Sequence, residues 1–359
     1  MERTEAHKKN RCREKSVSSI ISYKLLSFHT FQMLIQSAIS TSLLLPVLFS
    51  CTTKEDTGEN TVIMMKAAGD RQISGTLDIF TFNAEGAGHL DSYQHVDSFS
   101  GPEIELRSQN GTRNVFICLN GQRSIYDWAG ISSRKSLDEV YIELKDERRG
   151  ALCATGEGKV VAGSGTQYAV EMRNMACEIV LNSVRCDFRG KSYEGLPVTD
   201  PVVYLTNVNC RCSLTSDGDI VPSGIMNAGG ADPEEMSLMA EPDMVYRKMD
   251  EDIGIRRSEV GISFICYPNA SAADGPGTPF TRLVIEGKIG GETFWWPVDI
   301  NRDKGTERPG IHRNTRYIFD INITRKGSPG PDIVLDTDAV EVKMSIMPWE
   351  EKEEQEVSF

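Results

Sequence analysis

The sequence predicts an all-β chain folded as two β-sandwiches, and three observations carry that expectation. Short β-prone runs recur with Gly- or Pro-containing turns between them. Long apolar periods of helical spacing are scarce. The C-terminal third holds two runs of clean alternation and a Gly290-Gly291 pair between β-rich segments, which marks a tight hairpin because its turn needs positive φ at both centres. With 359 residues the chain is long enough for two cores.

The first fifty residues read as a leader. Residues 35–50 are an apolar run of signal-core length, short of the roughly 20 residues that span a bilayer as a helix. The stretch 42–51 ends Leu48-Phe49-Ser50-Cys51 and resembles the lipobox of bacterial lipoproteins. That resemblance implies lipidation of Cys51 as the first mature residue. A buried helix or an uncleaved anchor is the alternative. Met33 opens a compact signal by itself, so the leader 1–50 contains a second candidate start.

Charge and cysteines narrow the function classes. The net charge is −13 and the first fifty residues carry seven Lys/Arg against three Asp/Glu, so the remainder carries 32 against 49, or −17. Such a balance disfavours nucleic acid and anionic membranes as partners. Apart from Cys12 and Cys51, seven cysteines remain, an odd number, with Cys118, Cys177, Cys186 and Cys266 inside strand-like runs. Cys210 and Cys212 would alternate to one face of a strand, poor geometry for bonding each other. Most or all of these thiols are expected to be free, and no metal site or cofactor is expected. The acidic run Asp250-Glu251-Asp252 reads as a solvated face rather than a cation site.

Element by element, residues 51–60 form a polar tether and 61–66 a lone strand, with a break at 67–72 that a protease could reach. A hairpin follows from 75–83 and 90–96, and 113–120 is apolar on both faces, as an inner strand is. Residues 124–143, with Trp128, Leu137 and Val140, are the best helix candidate of the first half and lead into a strand at 140–144. Residues 167–175, 177–186 and 202–214 are further strands. The stretch 217–259 reads as a long decorated loop with a short helix starting at Pro233 behind Asp232 as N-cap. Residues 261–269 are a strand, and 281–288 and 292–300 flank the Gly-Gly hairpin. Residues 315–324 point Tyr317, Phe319, Ile321 and Ile323 to one side. In the same way 339–347 is expected to turn Val340, Val342, Met344 and Ile346 inward. The implied division is a leader at 1–50, a lipidated tether with the first strand at 51–72, an N-terminal sandwich at 73–200 and a C-terminal sandwich at 201–359.

The series Thr281-Arg-Leu-Val-Ile-Glu-Gly, Phe294-Trp-Trp-Pro-Val, Gly310-Ile-His-Arg-Asn-Thr-Arg-Tyr, Ile321-Asn-Ile-Thr-Arg-Lys-Gly-Ser-Pro-Gly-Pro-Asp and Met347-Pro-Trp-Glu resembles the fimbrillin family, the type V pilus subunits and anchors of Bacteroidales. Leu77-Asp-Ile-Phe-Thr-Phe-Asn, Leu90-Asp-Ser-Tyr and Val115-Phe-Ile-Cys-Leu-Asn agree with it. The resemblance implies two transthyretin-like sandwiches, export as an outer-membrane lipoprotein, and partnership with other fimbrial subunits by strand exchange. Shaft-type members are cut after an arginine to release their first strand. Arg71 stands where such a cut would free 61–66, with Val62 and Ile63 as candidate exchange residues, and Val340, Val342, Met344 and Ile346 lie in the alternating strand nearest the other end. In the plainer alternative Arg71 is an ordinary loop residue and 340–346 the last strand of its own domain.

Two other classes compete. A surface glycan-binding lipoprotein would present exposed aromatics, with Trp128 and Trp295-Trp296 as candidates. Enzyme signatures are absent: there is no Gly-x-Ser-x-Gly elbow, His-Glu-x-x-His pair, phosphate loop or dinucleotide fingerprint. Of the dispersed histidines His89, His95 and His312, the last is expected to play a structural part at a strand entrance.

Overall fold

A computed structural model describes residues 61–67, 73–122, 128–303, 305–333, 335 and 338–349. The first half contains β1 (Thr61–Ala67), β2 (Ser74–Asn83), β3 (Leu90–Ser100), β4 (Glu103–Leu106), β5 (Gly111–Leu119), β6 (Tyr141–Glu143), β7 (Ala154–Ala162) and β8 (Gln167–Asn174). Seven of these join in the order β3-β2-β5-β7-β8-β1-β4. The ladder between β7 and β8 is two residues long, Ala154 with Asn174 and Thr155 with Arg173, so the sheet folds over at that seam. Leu77, Ile79, Val115, Ile117 and Val160 from one layer meet Ile63, Met65, Leu106, Val170 and Met172 from the other in a single buried cluster. The result is a sandwich made from one folded sheet.

Gly156 and Gly158 let the seam close. A Cβ at Gly156 would lie 2.6 Å from the Glu171 carbonyl oxygen and 2.8 Å from Val170 Cγ1, so only a residue without one admits β8 this closely.

The second half contains β9 (Cys177–Cys186), β10 (Thr199–Thr206), β11 (Val208–Asn209), β12 (Arg211–Ser213), β13 (Ile225–Met226), β14 (Tyr246–Lys248), β15 (Ser258–Cys266), β16 (Arg282–Ile289), β17 (Glu292–Asp299), β18 (Thr315–Ile323) and β19 (Val340–Pro348). Two four-stranded sheets, β14-β10-β16-β17 and β15-β9-β18-β19, supply the core residues Val203, Leu205, Leu283, Ile285 and Trp296 on one side and Ile179, Leu181, Phe264, Tyr317 and Phe319 on the other. β9, within the range assigned above to the N-terminal domain, pairs with β15 and β18. The changeover from the seven-stranded sheet to the two four-stranded sheets lies between Asn174 and Cys177, and β6 crosses it to pair with β12.

Local chemistry explains most elements. The β16–β17 hairpin turns at Gly290 (φ +61°) and Gly291 (φ +89°), as expected from the Gly-Gly pair. The helix candidate at 124–143 is shorter: its described part holds a single 3₁₀ turn, Trp128–Gly130, and one five-residue helix, α1 (Arg134–Asp138). Ser133 caps α1 by accepting from Ser136 N, and β6 then draws the chain into pairing with β12. The strand expected at 202–214 breaks into three. Asn207 adopts φ +54°, and its side chain reaches Phe280 O and Asp332 Oδ1, which turns the chain out of the sheet. α2 (Pro233–Ser237) starts behind Asp232, whose carboxylate accepts from Glu234 N and Glu235 N.

Candidate functional site

The candidate site is the seat of β1. This strand is central in its layer: it runs antiparallel to β4, with Ile63 opposite Ile104, and parallel to β8, with Ile63 opposite Tyr168. Alternation sends Thr61, Ile63 and Met65 inward, each at most 2% exposed, while Val62 and Met64 are half-buried on the opposite face and Lys66 is exposed. Thr61 Oγ1 accepts from Gly163 N at 2.9 Å, and Met65 N donates to Pro102 O at 2.7 Å. Burying Ile63 and Met65 contributes about 1.5–3 kcal/mol each. Taking β1 away would leave facing ladders on β4 and β8 and an apolar trench between them, the geometry that a strand of alternating apolar residues can fill.

Of the residues singled out in the sequence, Val62 and Ile63 lie in this seat. Cys51 and Arg71 lie outside the described residues. Val340, Val342, Met344 and Ile346 lie on β19, in a sheet of the other half, so the structure does not bring the two groups together. β19 pairs along its whole length with β18, from Thr315 opposite Pro348 to Ile323 opposite Val340, and is the edge of its sheet among the described residues. Its apolar row is not inward as expected: Val340 and Met344 are half-buried, but Val342 is 41% and Ile346 50% exposed. An edge strand has a neighbour on one side only, so part of its face stays open to solvent.

Residues 313–314, within the Gly310-to-Tyr317 motif, hold the two halves together. Arg313 donates to Arg173 O (2.8 Å), Thr155 Oγ1 (2.9 Å), Ser216 O (3.0 Å) and Asn174 O (3.3 Å), and Asn314 Oδ1 accepts from Asn174 N (3.0 Å). In the sequence this motif stands out by its resemblance and by His312, and nothing local marks Arg313 as a clamp. At the same junction Glu147, 3% exposed, accepts from Tyr267 Oη (2.8 Å), Cys153 N (3.0 Å) and Gln122 Nε2 (3.3 Å). Burial pushes its carboxyl up to about 7 despite those three donors.

Other candidate chemistry resolves into structural roles. Among the described residues no three His, Cys, Asp or Glu side chains gather as a metal-binding set. Asp250, Glu251 and Asp252 share their groove with Arg149, Arg247 and Lys248. Both ring nitrogens of His95 are engaged by carboxylates, Nδ1 with Asp78 at 2.7 Å and Nε2 with Asp97 at 2.8 Å. His312 is 7% exposed beside Arg308 and Asp219 at the entrance to β18; burial, then the Arg308 charge, holds its imidazole below the ordinary value. Trp128 and Trp296 are 6% and 0% exposed, and Trp295, half-buried, donates its indole N–H to Glu286. No described helix is long and apolar enough to cross a membrane.

No family model matches the sequence, and no curated protein matches it. Solved structures do. A candidate cell adhesion protein of Parabacteroides distasonis aligns with a TM-score of 0.62 at 13% identity, over 82% of this chain and 98% of its own. A fimbrilin of Porphyromonas gingivalis aligns with a TM-score of 0.59 at 14% identity, over 82% and 98%. A tip fimbrial protein of the same organism aligns with a TM-score of 0.51 at 13% identity, over 81% and 99%. The chain is all-β and has the fold of the Bacteroidales fimbrillins.

Proposed function

We propose that the protein is a non-catalytic subunit of a cell-surface fimbria that serves adhesion, anchored to the outer membrane through lipid on Cys51 and joined to other fimbrial subunits by strand exchange. The observation that carries this reading is the seat of β1. A short strand fills the centre of a layer with two apolar side chains and has a partner on each side, so its exit would open a complete docking trench. The fold shared with a fimbrilin and a tip fimbrial protein supports the same reading. The two ends then take complementary parts, with β1 as the strand to be exchanged and β19, half-covered at an edge, as the segment able to pair outward. The two sandwiches expected at 73–200 and 201–359, with β9 counted in the second because it pairs with β15 and β18, serve as two functional modules, one that accepts a strand and one that presents it. A subunit that keeps its lipid and β1 stays at the membrane as an anchor or minor subunit.

The test is the N-terminal sequence and intact mass of the protein taken from the surface of its own cells, with and without an arginine-specific protease. A blocked, lipid-bearing Cys51 in assembled fimbriae is the expected result and rules out processing at Arg71. An N-terminus at Gln72 would instead make the chain a polymerising shaft subunit. A protein recovered unlipidated in the cytoplasm would overturn the reading altogether.

A further inference from the structure

Seven thiols lie among the described residues, and four of them meet in two pairs. Cys177 Sγ is 3.7 Å from Cys266 Sγ, and Cys118 Sγ is 3.8 Å from Cys153 Sγ. The sulfur separations are nearly equal, but the backbones are not. Cys177 and Cys266 are direct partners across the β9–β15 ladder, and direct partners in an antiparallel pair have Cα atoms about 4.5–5.5 Å apart, inside the range that a disulfide spans. Cys118 faces Thr155 across the β5–β7 ladder. Cys153 therefore lies on the diagonal, where backbones stand about 7–8 Å apart, beyond the usual reach.

We propose that Cys177 and Cys266 are a covalent cross-linking site, which thiol–disulfide exchange with an external disulfide closes as the chain folds, and that Cys118 and Cys153 are not. One cysteine thiolate attacks the external disulfide, forms a mixed disulfide and releases one thiol. The second thiolate then attacks the mixed disulfide and releases the other. The two protein thiols are oxidised to one disulfide, the external disulfide is reduced to two thiols, and the two protons pass to those thiols. The sulfurs need only swing from 3.7 Å to bonding distance, with the strands already in register. The bond would fasten β15, an edge strand, to β9, the first strand of the second half, across 89 residues of chain.

Timing follows from burial. Both residues are fully buried in the folded chain, and burial holds the Cys177 thiol well above its ordinary range, so little thiolate is present to react once folding is complete. Closure thus belongs to the folding chain. In the cell it would need the oxidising space beyond the cytoplasm, and to that extent it rests on the exported reading above.

The test is independent of export. The full chain, reduced and denatured, is refolded in a mixture of oxidised and reduced glutathione, alkylated, digested and mapped by mass spectrometry. The expected product joins the Cys177 and Cys266 peptides, with Cys118, Cys153, Cys186, Cys210 and Cys212 alkylated. A Cys266→Ser chain should leave Cys177 alkylated and form no replacement bond. Full alkylation of Cys177 and Cys266 in the wild-type chain, or a Cys118–Cys153 bond formed as readily, overturns the proposal. A chain folded first under reducing conditions and then exposed to oxidised glutathione should close at least about tenfold more slowly; closure at the same rate would refute the coupling to folding.

Discussion

β1 and β19 are the first and last described strands, yet they are built on opposite terms. β1 is seven residues long, paired on both edges, with Ile63 and Met65 sealed in the first core. β19 is nine residues long, paired on one edge only, and leaves Val342 and Ile346 in contact with solvent. Strand length and alternation are similar; coverage differs. A strand is integral when layers close over it and appended when they do not. Alternation therefore shows which face is apolar without showing whether that face is covered.

The largest effect that could break this contrast lies in β1. Ile63→Ala should cost about 2–5 kcal/mol, because the folded sheet cannot collapse onto the space left behind. Urea unfolding of the full chain measures it. A loss comparable to an exposed position would mean that β1 is as loosely held as β19, and the exchange seat would lose its physical basis.

Next comes the junction between the halves, where a single carboxyl links pH to stability. Glu147 has its folded value pushed up from 4.5 to about 7, with burial as the main cause. The folded state therefore holds the proton more tightly than the unfolded chain. The resulting stabilisation is complete below about pH 4.5 and is lost as the pH rises through about 7, an effect on the order of 3 kcal/mol. Unfolding free energies of wild type and Glu147→Gln, each at about pH 5 and about pH 8, isolate this contribution, since Gln carries no titrating proton. The wild type should lose more stability than the variant between the two conditions. Equal losses would remove Glu147 as the cause.

A smaller effect lies at the seam of the folded sheet. Gly156→Ala places a Cβ against the Glu171 carbonyl and Val170, and should cost about 1–3 kcal/mol by forcing β7 and β8 apart. Because β8 is also the parallel partner of β1, the same substitution should speed hydrogen exchange at Ile63 and Met65 relative to Val342. Unchanged exchange at β1 would show that the seam does not support the seat.

Where the chain's elements are set by near neighbours, the sequence made them legible. The β2–β3 and β16–β17 hairpins, the alternation of β18 and the Asp232 cap all depend on residues within a few positions. Distant partners hid the rest. β7 carries no strand expectation in the sequence because Gly156 and Gly158 answer to β8 packing rather than to strand propensity. β4 and β14 are four and three residues long, too short for a period to register. The existence of β1 was visible, but its place between β4 and β8 rests on a parallel pairing about a hundred residues away along the chain, and no local pattern records that. The Arg313 clamp lies inside a motif that stands out by its resemblance and by His312, and no local pattern marks it.

The smallest expected effect sharpens the contrast most. Val342→Lys and Ile346→Lys place charges at positions 41% and 50% exposed, where the long side chain can reach water without disturbing the β18 ladder. Each should change unfolding free energy by no more than about 0.5 kcal/mol, the ordinary size for surface positions. Their effect should appear in association instead, since lysines on an edge strand oppose pairing with another chain. Co-sedimentation with assembled fimbriae should fall while the urea midpoint stays put. An unfolding free energy that falls by several kcal/mol means that something in this same chain covers β19, and the two terminal strands would then be alike. A midpoint and an association both left unchanged means that β19 is uncovered but idle, and the presenting surface must be sought on another edge, with β15 the first to test.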